Sequence, residues 1–413
     1  MTRKEKILFI LILFFLTTLF LPWLKLVNIV AVSCLALYAF FFYNSPEEKW
    51  RLFKERKYLQ WMVLFFVIIV VSVFLSVNSQ KALRYLDPRL PLIYFPLSIG
   101  VLELTREFTR SVLLAFAWLT CLIMLLCLGS AIYHSDFFRR PEFLYNDSLT
   151  EILKQQSIYI SLLVNFSIYI FVWYIINRKE RSRNWMIVAV VFLFVMSYLL
   201  ASRNQMLVLY AFTVGFGFYY IFKRKKFLTG VSLIAGLVIC VFMVFLFFPK
   251  TVNRYRELMY TQFNYQSMGK ESHYNMEVTK DQWNGANFRM AAWRCGWELF
   301  LAHPVAGVGI GDKKDVLMGK YREKNFQFGI QTQKNVHNNY LDILYSMGIV
   351  GLILFIAAWV VFPLIEVTSQ KNRLGMLIIL TFVCAWITEV YFDRSLGGML
   401  TGFFIPFLLA GTT

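Results

Sequence analysis

The chain predicts an all-α fold, a polytopic membrane helical bundle of about twelve transmembrane helices, and three observations carry that reading. Hydrophobic side chains make up 58% of 413 residues and the mean hydropathy is +0.57, more apolar surface than one soluble core could bury. Apolar runs of roughly 17 to 25 residues recur, the length a helix needs to cross the hydrocarbon, whereas barrel strands would alternate on a period of two. Charged residues collect in short clusters between these runs.

In chain order the runs fall at 7–24, 27–43, 59–77, 91–104, 111–133, 158–176, 185–201, 205–222, 227–248, 340–364, 374–390 and 396–411. The fourth is short enough to be a broken or tilted segment, so eleven spans is the alternative count. The domain division is then 1–248 for nine spans, 249–339 for one large loop, and 340–413 for the last three spans. MTRKEK before the first run lacks a small-residue cleavage pattern after it, so it reads as the flank of a retained span.

The net charge of +18 would point a soluble chain toward nucleic acid, but here most of the basic clusters lie between apolar runs and act as topology signals, with no nucleic-acid partner implied. One face receives 20 Lys and Arg in its short loops and the other receives nine. Orientation follows that asymmetry: both termini lie on the cytoplasmic side of a bacterial inner membrane and the large loop lies in the periplasm.

Within the loop, NFRMAAWRCGWELFLAH places Phe288, Ala292 and Leu299 at helical spacing, Pro304 stops the helix, and GVGIGD makes a turn. One or two short helices over the mouth of the bundle are expected. GVGIG is not a phosphate loop, because no strand precedes it and no lysine follows at the required spacing. Five of six cysteines lie in apolar runs and Cys295 stands alone in the loop, which implies no disulfide framework. No HExxH, paired-histidine or DxD pattern occurs, so no metal and no cofactor is expected.

Three positions stand out. His337 in NVHNNYLDIL lies where the polar loop meets the tenth run, so its imidazole can be hydrated and can titrate near neutral pH while facing a lipid-borne substrate. The alternative is an interfacial histidine bonded to the end of the following helix. Arg203 lies in LLASRNQML, where two runs meet with almost no loop, and a guanidinium there either finds an anion or snorkels to interfacial water and phosphate. Arg289 opens the loop helix and either decorates a solvated face or joins Arg203 on one phosphate-bearing ligand, for which a fixed fork of donors is suited. Asp342, Glu389 and Asp393, near span ends, are expected to pair with Arg394 or Arg203.

SRNQMLVL at a short turn, NRYRELM after the next run, FRMAAWRCGWELFLAHPVAGVGIGD, VHNNYLDILYSMGIVGLILF and finally EVYFDRS, in that order around one large loop, resemble the bacterial O-antigen ligase and polymerase superfamily. The resemblance covers about the C-terminal half. It implies a GT-C-type membrane glycosyltransferase that moves a glycan from undecaprenyl diphosphate without a metal. Carried over residue by residue, it implies that Arg203 and Arg289 bind the donor diphosphate and that His337 activates the acceptor hydroxyl. Arg394 matches a recurrent arginine of the same group. Many members read HxHN where this chain reads NVHN, so Asn335 stands in place of a first histidine.

Single displacement at the anomeric carbon would invert configuration, and rate would fall as the imidazole becomes protonated. One large loop favours an O-antigen ligase whose acceptor is lipid A-core; the alternatives are a polymerase joining undecaprenyl-linked repeat units, a protein-glycosylating relative, and a transporter of the same lipid. Against transport, the chain shows no internal repeat and its notable polar residues gather at one face.

Overall fold

In the computed structural model, residues 1–21, 23–138, 141–177, 182–247, 259–269 and 282–411 are described. The NRYRELM segment lies outside them except for Met259. Nineteen α-helices succeed one another among the described residues. In the first part of the chain these are α1 (Arg3–Leu19), α2 (Lys25–Tyr38), α3 (Pro46–Glu55), α4 (Lys57–Leu75), α5 (Ser79–Leu86), α6 (Pro91–Ser98), α7 (Arg106–Phe138) and α8 (Asn146–Leu149). Four longer ones follow: α9 (Ser157–Asn177), α10 (Arg183–Leu199), α11 (Arg203–Phe222) and α12 (Phe227–Phe247). The large loop carries α13 (Gly285–Ala302), α14 (Lys313–Glu323) and α15 (Gln327–Thr332), before α16 (Asn339–Ile356), α17 (Phe362–Ser369), α18 (Arg373–Ala385) and α19 (Ser395–Ala410).

Among the described residues six helical stretches are long and apolar enough to cross a membrane by length and composition, the longest being Arg106–Asp136 and Asn339–Ser369. Four shorter apolar helices, among them Arg183–Leu199 and Ser395–Ala410, lie among them. The fourth apolar run is helical only over the eight residues of α6, which begins at Pro91 and contains Pro96. It is packed tightly against α19, where Gly398 and Gly402 come so close to the carbonyls of Pro88 and Pro91 that no Cβ would fit. Small residues let helix backbones approach in this way where apolar burial alone cannot drive association.

The bundle is centred on α9 and α19. α19 is apolar and buried from Leu396 to Ala410, the pattern of a helix with no solvent or lipid face, and α9 is buried from Tyr159 to Phe171. A second apolar core lies in the loop. It joins Trp283, Phe288, Cys295 and Tyr321 to Leu341 and Tyr345 at the start of α16. Val336 and Val390, the neighbours of His337 and Glu389, are fully buried in it.

Two expectations are corrected here. Among the described residues the loop holds three helices, one of them 18 residues long, in place of one or two short ones. The tenth run is not one continuous helix, because Gly348 in α16 takes φ 69°, ψ −171°. The loop's GVGIG turn docks into that break: Val308 N–H donates to Tyr345 O at 3.0 Å, Gly309 N–H to Ser346 O at 2.9 Å, and Ile349 N–H to Pro304 O at 2.9 Å. Gly307 and Gly309 have positive φ, and a Cβ on Gly348 would overlap the Val305 carbonyl, so the turn and the break need residues without side chains. The same turn is pinned to α4, where Ser72 and Ser76 accept from Ile310 and Gly311 and Asp312 accepts from Val77 and Asn78.

Candidate functional site

His337 lies two residues before α16 with φ 46°, a left-handed conformation that costs a non-glycine residue free energy and that histidine tolerates better than most. Asn335 supports it by accepting the His337 N–H at 2.9 Å. Asn338 then caps α16 through the Leu341 N–H at 3.0 Å, satisfying one of the helix's open donors. The ring stands edge-on to Phe288 at 5.9 Å, and its Nδ1 is 2.8 Å from Glu389 Oε2.

A carboxylate can only accept, so Nδ1 carries the proton and Nε2 is left as the basic atom. Burial pushes the Glu389 carboxyl up, but the His337 hydrogen bond and the charges of His337 and Arg289 more than reverse this, leaving it below the ordinary carboxylate range. Glu389 lies beyond the end of α18 with 11% of its side chain exposed, while His337 has 25% exposed. A partly open imidazole is thus anchored by a nearly closed carboxylate.

The two arginines reach the same place. α10 ends at Leu199 and α11 starts at Arg203, the tight junction expected from the sequence. A Cβ on Gly285 would lie 2.6 Å from Arg203 Nη2 and 3.2 Å from Arg289 Nη1, so both guanidinium ends flank one glycine at the start of α13. That helix begins in a capping box, Asn284 accepting from Ala286 and Asn287, which sets the approach of its first turn. Arg289 donates to Gly285 O at 2.8 Å and to Thr388 O at 3.2 Å. Asn204, next to Arg203, donates to Thr388 Oγ1 at 2.8 Å and to Cys384 O at 3.0 Å.

The segment Thr388–Glu389 therefore collects Arg289, Asn204 and His337 from three separate parts of the chain. Two positive forks and one imidazole at a half-open surface can hold an anion with several oxygens and take a proton beside it. Among the described residues no three His, Cys, Asp or Glu side chains gather as metal ligands would.

Arg394 does not join this group. It is exposed, and its side chain makes no hydrogen bond or ion pair among the described residues. The carboxylates also pair differently from expectation. Glu389 meets His337, while Asp342 and Asp393 meet two cations absent from the sequence reading: Lys313 lies 2.6 Å from Asp342 and 2.7 Å from Asp393, and Arg89 lies 2.7 Å from Asp393 and 3.8 Å from Asp342. Arg203 and Arg394 were the cations nearest in sequence pattern, but Arg89 and Lys313 arrive from the turn after α5 and the start of α14.

This four-charge cluster is nearly closed to solvent, with Arg89 3%, Lys313 2%, Asp342 1% and Asp393 13% exposed. It ties α14, α16 and the turn carrying Glu389 into one unit. Glu389, Thr388 and Asn204 were the residues of the site that sequence reasoning missed. The only signal for Glu389 was a carboxylate at the start of EVYFDRS, and nothing in the sequence set it opposite His337, 52 residues away.

Residues 188–356 match the family model described as O-antigen ligase. No curated protein matches the chain. The matched stretch contains Arg203, Arg289 and His337, and it runs from within α10 to the end of α16, so it includes the whole loop. The motifs, their order and the matched segment agree, so over residues 188–356 this chain is similar to the O-antigen ligase family.

Proposed function

We propose that the protein is an O-antigen ligase: a metal-independent, inverting glycosyltransferase that moves a glycan from undecaprenyl diphosphate to lipid A-core at the periplasmic face of the inner membrane. The observation that carries the reading is the His337–Glu389 pair at 2.8 Å beside the two guanidinium ends that flank Gly285. Members of the superfamily are glycosyltransferase-like enzymes acting on lipid-linked glycans, and this arrangement supports that chemistry.

In the proposed step Arg203 and Arg289 hold the donor diphosphate, and the acceptor hydroxyl lies on the opposite side of the anomeric carbon. His337 Nε2 takes the hydroxyl proton as the acceptor oxygen bonds to that carbon. The bond to the phosphate oxygen breaks, and undecaprenyl diphosphate leaves with its developing charge held by the arginines. Glu389 stabilises the imidazolium that forms, and the pair then releases the proton to water. Arg394, exposed on the next turn, is proposed as an outer contact for the donor.

The test is reconstitution with undecaprenyl diphosphate glycan and purified lipid A-core in the presence of EDTA. Glycan appearing on lipid A-core supports the proposal. Elongation of the lipid-linked glycan would replace it with a polymerase, and movement of the glycolipid across vesicles without transfer would replace it with a transporter.

A further inference from the structure

At the end of the bundle opposite His337, a cavity of about 700 Å³ lies between α9, α10, α11, α12 and α18. It is separate from the transfer site, since α11 begins at Arg203 and lines the cavity only from Phe212 onward. Its mouth is built from helix ends: Asn177 closes α9, Arg183 opens α10, Thr229 lies in the first turn of α12, and Leu374 in that of α18. Below the mouth the walls are apolar, with Phe194, Phe212 and Leu237 deep inside.

Depth and charge narrow the occupant. Along α10 the lining runs from Arg183 to Phe194, a rise of about 16 Å, which is roughly half the 30 Å hydrocarbon thickness and so one leaflet. An acyl chain of that leaflet fits such a depth, whereas a much longer isoprenoid would overrun it. Arg183 is exposed and its side chain has no hydrogen bond or ion pair among the described residues. Exposed Lys223, Arg224, Lys225 and Lys226 follow α11, and the Arg373 guanidinium stands 4.6 Å over the Tyr219 ring at the start of α18. A basic rim over a leaflet-deep apolar slot is complementary to an anionic headgroup with a hydrocarbon tail.

We propose that this cavity is a binding site for an anionic diacyl phospholipid, one acyl chain filling the slot and the phosphate resting on Arg183. The bound lipid would wedge α10, α11 and α12 against α9 and α18 from the side away from the chemistry.

Gly236 lines the cavity, and a Cβ placed there meets nothing within 4 Å, so Gly236→Phe starts from an uncrowded position and sets its ring into the slot. The full-length protein in detergent is incubated with dioleoyl phosphatidylglycerol, dioleoyl phosphatidylethanolamine or undecaprenyl phosphate, and retained lipid is counted by native mass spectrometry. One phosphatidylglycerol per chain is expected to survive activation that strips phosphatidylethanolamine. Arg183→Gln weakens its retention about fivefold, and Gly236→Phe abolishes it with an unchanged melting temperature. Equal retention of both phospholipids, insensitive to both variants, overturns the proposal, as does displacement of phosphatidylglycerol by undecaprenyl phosphate. Should Gly236→Phe lower the melting temperature, Arg183→Gln decides the question alone, because an exposed side chain is lost there without touching the core.

Discussion

Replacing Glu389 with glutamine isolates the role of one charge. The substitution keeps shape and volume at a position where 11% of the side chain is exposed, so solvent screening is slight. A hydrogen bond to an ionised partner contributes about 1.5–3 kcal/mol, against about 1 for a neutral one. In the resting enzyme the amide oxygen can still accept from His337 Nδ1, and ground-state binding is little changed. As the imidazole takes the acceptor proton, the charge that would stabilise it is missing. At 1.36 kcal/mol per decade, the difference of about 0.5–2 kcal/mol lowers kcat roughly 2- to 30-fold with KM nearly constant.

If the amide instead turns its NH2 toward Nδ1, the ring proton is driven to Nε2 and the loss is greater. The assay is initial rate of glycan transfer to lipid A-core in liposomes from pH 5 to 9, with melting temperature measured in parallel. A variant with the rate of the unaltered protein across that range would refute the reasoning and reduce Glu389 to a structural anchor.

Gly285→Ala places a methyl group against the Arg203 and Arg289 ends; both are flexible tips, so the fold survives while the pair is splayed, and transfer is expected to fall about tenfold at constant melting temperature. Arg289→Lys keeps the charge but loses the fork that serves Gly285 O and Thr388 O, so donor KM rises and no more than a small part of the rate lost in Arg289→Ala is recovered. Lys313→Met leaves Asp342 and Asp393 buried without their shared cation, and thermal unfolding in detergent should show a loss of about 3–5 kcal/mol. Glu389, held below its ordinary value of 4.5, stabilises the fold fully above that pH and loses the contribution as pH falls through its lower folded value; the acid arm of the melting curve should therefore shrink in Glu389→Gln.

Much of the architecture was legible because apolar runs and their breaks are local signals. Helix α13 follows from Phe288, Ala292 and Leu299 at helical spacing and from the stop at Pro304, and the tight α10–α11 junction follows from three polar residues between two apolar runs. Arg203, Arg289 and His337 were legible as types of residue at a membrane surface. Their meeting was not, since it depends on Gly285 lying under two guanidinium ends and on Thr388 receiving bonds from Arg289 and Asn204. Electrostatic partners carry no periodicity, which is why Asp342 and Asp393 were matched to the wrong arginines.

What the sequence determined by itself was the class of fold, the large loop, the family likeness and the three residues Arg203, Arg289 and His337 as candidates, all properties set by composition, spacing or motif. Only the tertiary structure decided that Glu389 is the partner of His337, that Arg394 stands apart, that α16 breaks at Gly348 to receive the loop's turn, and that Arg89 and Lys313 close the buried charge cluster. The physical reason is common to all four. Each is a contact between segments remote in sequence, selected by how helices pack and by the need to satisfy buried polar groups, and neither constraint leaves a trace in the order of residues along the chain.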